Sequence, residues 1–303
     1  MAITPDGLHA YVTNEGSNDV SVIDTGSLTV TATIPVGTTP FWVAITPDGL
    51  RAYVTNASDG TVSVINTVTN AVIATIPVGS TPLGVAIAGT SAYVTNSSDG
   101  TVSVIDTVTN TVTATVAVGS APFGVAIAGT SAYVANNGDG TVSVIDTGTN
   151  TVTATITVGT SPLGVAVAGT HVYVANNGDD TVSVIDTGTN TVTFAIPAGP
   201  GPFGVATTPD GSTLYVTDNS DNSVTVTATV PFPTTTALTS APDPSVFGEA
   251  KTLTATVTSS SGTPTGTVSF FDGATLLGTG TLSGGVATFT TSALSVGSHP
   301  LTA

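Results

Sequence analysis

The chain has 303 residues and a formal net charge of −17, with only Arg51 and Lys251 basic against nineteen acidic side chains. Binding to nucleic acid needs several phosphates neutralised by Lys or Arg, so no nucleic-acid partner is expected, and an anionic membrane surface would be repelled for the same reason. The absence of cysteine removes disulfides, thiolate metal sites and cysteine nucleophiles, and no apolar run reaches the roughly eighteen residues of a spanning helix, so no membrane insertion is expected.

From its first residue the chain reads as a repeat. Its six tyrosines, Tyr11, Tyr53, Tyr93, Tyr133, Tyr173 and Tyr215, are spaced by 42, 40, 40, 40 and 42 residues. Between residues 81–120 and 121–160, 31 of 40 positions are identical. Good helix formers are scarce in these units, whereas Val, Thr and Ile alternate with period two between turns rich in Gly, Asn and Asp; that pattern predicts strands. Met1 aligns with Val43, Val85 and Val125, in the middle of a first strand, so the repeat is expected to continue upstream, leaving room for a seventh unit.

The unit around Tyr133 shows the expected plan. Its strands are Pro122 to Ile127, Ser131 to Ala135, Thr141 to Asp146 and Thr151 to Thr157. The Asp139-Gly140 pair between the second and third is a strong hairpin signal, because that turn needs positive φ. Gly124 and Ala126, like Gly164 and Ala166, keep the first strand narrow where wedge-shaped units would crowd an axis. In the fourth strand Thr alternates with Val or Ile, as expected of a half-exposed strand. In the last unit, Ser223 to Val230 merges a third strand into a fourth without a loop.

Tyr-Val-Thr-Asn, then Thr-Val-Ser-Val-Ile-Asp at 101–106, 141–146 and 181–186, then Val-Gly-x-x-Pro-x-Gly-Val-Ala, resembles the YVTN family of β-propeller repeats. The resemblance spans residues 1–230. It implies an all-β fold in which six four-stranded blade units, the terminal ones incomplete, form a β-propeller; surface-layer-like proteins are among the family's members. Pro231-Phe232-Pro233 marks a linker at 231–236. Residues 237–303 follow as a partial Ig-like β-sandwich, in which Gly266 to Leu277 resembles bacterial Ig-like repeats and a last strand is expected to be missing.

No catalytic constellation stands out. His9, His171 and His299 sit in unrelated settings, and the many hydroxyls have no identifiable base. Near-identical blades repeat one side chain around a ring, which suits structure or multivalent binding; neither catalysis nor a cofactor or metal is expected. The loops Asn96–Gly100, Asn136–Gly140 and Asn176–Asp180 offer oxygens to Ca²⁺, with Asp179 and Asp180 the densest pair, but turn chemistry demands the same residues. Asp24, Asp106, Asp146 and Asp186 read as loop caps, and the tyrosines as inter-blade packing with bonded hydroxyls. Two sequons, Asn56-Ala-Ser58 and Asn96-Ser-Ser98, permit glycosylation.

Trp42, the only tryptophan, breaks the pattern by replacing the glycine seen at Gly84, Gly124, Gly164 and Gly204. With Phe41, Leu83, Phe123, Leu163 and Phe203 it forms a candidate ligand-binding rim, or else fills space between irregular blades. The expected function is a secreted or cell-surface structural and interaction protein, a rigid propeller head on Ig-like spacers, with a protein or glycan partner and an extracellular location. The alternative is a propeller enzyme of lactonase or lyase type. An unclosed ring would also self-associate through its free edge.

Overall fold

The computed structural model describes residues 1–229, 234–259, 264 and 266–303. The described residues contain strands and turns but no helix, and hence none long and apolar enough to cross a membrane. They divide into two compact units, Met1–Thr229 and Val230–Ala303.

The first unit is a succession of six antiparallel sheets, each a simple meander in chain order. The fourth has strands Pro122–Ala128, Ser131–Asn136, Thr141–Asp146 and Thr151–Thr157, matching the predicted plan to within a residue. In the second-to-third turn Gly140 adopts φ 64°. Asn18 and Asp180 hold the same place with φ 59° and 55°, the left-handed conformation that Asn and Asp tolerate best after Gly.

Alternation along each strand sends its apolar residues to both faces, and consecutive sheets bury those faces against each other. Tyr93, Val102, Val104 and Val116 of the third sheet pack on Val125, Ala132, Val134 and Ile145 of the fourth. The same eight-position set recurs between the first and second, second and third, and fourth and fifth sheets. The core is therefore a row of equivalent layers, each shared by two neighbours, as in repeat proteins. The fourth strands of the first four sheets each have one buried position, such as Val116 of Thr111–Ala117, and that of the fifth, Thr191–Pro197, has none, which explains their Thr-rich faces.

The end sheets differ as the sequence implies. The first retains four strands, but its opening strand is only Ala2–Ile3. The sixth has three, Pro202–Thr207, Thr213–Asp218 and Ser223–Ala228, so the merged segment supplies a third strand.

The second unit is a two-layer sandwich. Thr234–Ala241, Lys251–Ser259 and Val286–Thr291 form one sheet; Thr275–Thr281, Thr267–Asp272 and Leu301–Thr302 form the other. Leu253, Ala255, Val257 and Ala287 meet Val268 and Phe270 between them. The expected linker is shorter than 231–236, because Thr234, Thr235 and Thr236 already pair with Ser259, Thr258 and Val257; its Pro231-Phe232-Pro233 lies outside the described residues. At the free edge of the second sheet Leu301 and Thr302 pair with Asp272 and Phe271. Beside it, His299 Nδ1 lies 2.7 Å from Asp272 Oδ2 and Nε2 lies 2.9 Å from the Ser295 carbonyl.

Two outcomes follow from these contacts. A Cβ at position 124 would run into the Leu163 carbonyl of the next sheet, whereas one at 204 meets only Thr217 Oγ1 at 3.1 Å. Gly124→Ala is expected to cost about 1–3 kcal/mol and Gly204→Ala clearly less; equal melting temperatures would refute the crowding. The Ser295 carbonyl, then Asp272, raise the His299 pKa above its ordinary 6.5. A raised folded pKa stabilises below the unfolded value and is lost as pH rises through the folded one. The second unit should therefore melt at a higher temperature at pH 5 than at pH 8 (about 1.5 units either side of that value), and His299→Ala should flatten the difference.

Candidate functional site

The first strands of the second to sixth sheets carry the candidate residues. Each of these strands opens with Pro and a large apolar residue, from Pro40-Phe41 to Pro202-Phe203. Although they come from the second, fourth and sixth sheets, Phe41, Phe123 and Phe203 touch edge to face. Their ring centroids are 5.5 and 5.4 Å apart, at interplanar angles of 88° and 87°. Such contacts add about 0.5–1.5 kcal/mol each beyond area burial. Leu163 is buried and Leu83 half-buried. Three of the expected rim residues, Phe41, Phe123 and Phe203, thus pack on one another.

The backbone carrying this cluster is pinned by residues that the sequence reading passed over. Thr13 Oγ1 donates to the Phe41 carbonyl at 3.0 Å, Thr55 Oγ1 to that of Leu83 at 2.7 Å, and Thr95 Oγ1 to that of Phe123 at 2.7 Å. Each threonine lies in the second strand of one sheet and holds the cluster residue of the next. Ala135 and Ala175 occupy the equivalent places in the fourth and fifth sheets, where that bond is absent. The recurrence of Thr at this place in four of six units, Thr217 being the fourth, was the available signal.

Trp42 is half-buried, with its side chain against the core shared by the second and third sheets and its ring 6.3 Å from Phe41. Its backbone N–H donates to Thr55 Oγ1 at 3.0 Å, as that of Gly84 does to Thr95 Oγ1 at 2.8 Å. The residue therefore keeps the backbone position of the glycine it replaces. Its indole fills the sheet-to-sheet layer and leaves part of its surface in solvent beside the phenylalanines.

The other recurrent polar residues bond inside the repeat. Tyr11, Tyr53, Tyr93 and Tyr133 donate to Oδ1 of Asn70, Asn110, Asn150 and Asn190 in the following sheet at 2.6–2.8 Å. Burial raises their phenol pKa values, that of Tyr53 up to about 12. Asp106, Asp146 and Asp186 accept N–H bonds from the residues two and three positions on, as the cap reading expects; these bonds hold the carboxyls below the usual range. Asn66 makes the same backbone bonds in the second sheet without a charge.

The loop aspartates tie each second-to-third turn to the loop entering the same sheet. Asp99 and Asp139 accept from the N–H groups of Ser80 and Ser120. Asp179 accepts from Thr160 N–H, while Asp180 accepts from Gly201 N–H, so the densest acidic pair faces two different loops. Among the described residues no three His, Cys, Asp or Glu side chains converge as a metal site would require. His9 and His171 lie at strand starts paired with Asp24 and Asp186 in register, far apart in the repeat. Both sequon asparagines, Asn56 and Asn96, are fully buried, with Nδ2 donating to Thr61 and Ser63 or to Thr101 and Ser103. The folded unit cannot present them to a glycosyltransferase.

With this geometry in hand, residues 238–303 match the bacterial Ig-like domain (group 3) family. No curated protein sequence matches the chain. Among solved structures it is similar to Kuenenia stuttgartiensis hydrazine synthase at 21% identity and TM-score 0.55, covering 75% of this chain and 94% of that one. A functionally unknown protein from Desulfotomaculum acetoxidans DSM 771 is similar at 19% identity and TM-score 0.64, over 72% and 78% of the two chains. U3-55K is similar at 16% identity and TM-score 0.66, over 74% and 75%. At these identities the likeness is one of fold alone.

The tyrosine bonds are open to a direct test. Tyr93→Phe strands the Asn150 acceptor and is expected to cost about 1 kcal/mol. Tyr215→Phe, at an exposed position, should leave the melting curve unchanged. A null result at both positions would show that the hydroxyls contribute nothing.

Proposed function

We propose that residues 1–229 form a YVTN-type β-propeller that serves as a rigid binding head on a cell-surface or secreted protein, with the Ig-like domain as a spacer. The propeller reading is supported by the forty-residue period, the four-stranded meanders packed face to face in chain order, and the convergence of Phe41, Phe123 and Phe203 from alternate sheets. An extracellular setting is supported by the match of residues 238–303 to bacterial Ig-like domains.

The observation that carries a binding role over catalysis is where the polar groups go. The recurrent Tyr, Asn, Thr and Asp side chains bond within the repeat, sheet after sheet, in the same way. Catalysis calls for unlike acids and bases meeting at one point. The cluster at the inner ends is instead aromatic and aliphatic, with Trp42 half-exposed at its margin, and an apolar ring face of that kind stacks on a sugar or peptide.

The test uses the full chain on a glycan array and on immobilised cell-wall polysaccharide. Binding is expected, and Trp42→Ala should weaken it by about tenfold or more, roughly 1.4 kcal/mol. Trp42→Phe, which keeps an aromatic ring in the sheet layer, separates lost stacking from lost folding. Unchanged binding by a folded Trp42→Ala chain would remove this site, and turnover of a lactone by the wild-type chain would favour the enzyme reading.

A further inference from the structure

Four consecutive entry loops hold a residue other than glycine at positive φ. Thr39, Thr81, Ala121 and Ser161, each just before the proline that opens a first strand, have φ 57°, 54°, 49° and 53°. The sixth sheet has Gly201 at this place, with φ 66°. A β-branched side chain in the left-handed region is a steric outlier, and such strain gathers at ligand clamps and active sites. What the two threonines add over glycine is a hydroxyl. Thr39 Oγ1 lies 2.7 Å from Ser58 Oγ, and Thr81 Oγ1 lies 2.8 Å from Ser98 Oγ, so each pair joins an entry loop to the second-to-third turn. The fourth and fifth sheets have Gly138 and Gly178 in place of the serine, and the sixth has Gly201 in place of the threonine. The pairs therefore stand on the two sheets whose shared layer holds Trp42. Thr39 and Trp42 are also close in the chain, separated only by Pro40 and Phe41.

We propose that the two hydroxyl pairs and Trp42 together form a site for a neutral polysaccharide, an inference that rests on Trp42 as the binding surface described above. Two hydroxyls joined by one hydrogen bond keep one O–H and free lone pairs, so each pair can both donate to and accept from vicinal sugar hydroxyls. The indole offers a flat apolar face to a pyranose ring. Charge sets the class of sugar. Asp59 and Asp99, both exposed, directly follow the two serines, and each accepts an N–H from its entry loop, that of Thr38 or Ser80. Arg51, the first unit's only lysine or arginine, starts the strand Arg51–Asn56, whose other end carries this site. Two carboxylates with no such cation beside them repel uronate and phosphate groups. The occupant is therefore an uncharged chain of hexoses or N-acetylhexosamines.

Binding is measured calorimetrically on the full chain with cellohexaose, mannohexaose and N-acetylchitohexaose, and with hexagalacturonate as the acidic counterpart. At least one neutral hexaose should bind, and hexagalacturonate about tenfold more weakly or worse. The double variant Thr39→Gly, Thr81→Gly should weaken the neutral binding by about tenfold or more. Its melting temperature should stay level or rise, because glycine adopts positive φ freely. Ala121→Gly relieves the same conformation without removing a hydroxyl, and it should leave binding unchanged. A wild-type chain that binds none of the neutral hexaoses overturns the proposal, as does equal affinity for hexagalacturonate. A double variant that melts at a lower temperature would make the threonines structural, and that too overturns it. If the double variant binds as the wild type does while Trp42→Ala does not, the hydroxyl pairs are refuted and the Trp42 surface stands.

Discussion

The first unit depends on one repeated contact, the layer in which a tyrosine from one sheet reaches across to the next. The ring fills the layer beside two valines, and the hydroxyl, carried out of water, is satisfied by an asparagine at the far side. Burial of the ring supplies the non-directional part of the energy. The hydroxyl supplies direction, because a buried donor without a partner costs more than the bond returns. Together they set the distance and rotation between consecutive sheets, and the same pair recurs along the chain. Close approach at the inner ends follows from that spacing, with glycine retained where the next sheet's carbonyl would meet a Cβ.

That arrangement explains why the polar residues do so little at the surface. Asn96 spends its amide on Thr101 and Ser103, and its carbonyl oxygen accepts from Gly79 N–H, all within or at the edge of one sheet. Asp218 replaces this asparagine in the sixth sheet, buried, with Thr225 Oγ1 2.7 Å from its Oδ2 and, among the described residues, no partner at Oδ1. The substitution falls in the sheet that has only three strands. Trp42 is the other departure, and it too is absorbed into a layer without moving its backbone bonds.

The candidate site was legible in part. The positions of Phe41, Leu83, Phe123, Leu163 and Phe203 follow from the repeat, and so does their convergence, since equivalent residues in successive units must share one end of the sheets. Mutual contact between Phe41 and Phe123 was not legible, because it depends on how far each sheet leans toward the next, a sum of side-chain volumes across two layers. The threonine bonds to the cluster carbonyls were missed for a related reason. Thr is common throughout these strands, and only the close approach of a neighbouring sheet distinguishes Thr55 or Thr95 from those that face solvent.

By itself, the sequence determined the strands, their turns and the period, because alternation, Gly and Asn at positive φ, and β-branched composition are local properties with local causes. It also determined the second unit's sandwich character, through short apolar strands around Gly266 to Leu277. The tertiary structure alone decided which faces meet, that Asn56 and Asn96 are closed to modification, and that Thr234 already belongs to a strand. It also decided that Tyr215 is exposed where the other five tyrosines are buried. Those outcomes depend on contacts between residues distant in the chain.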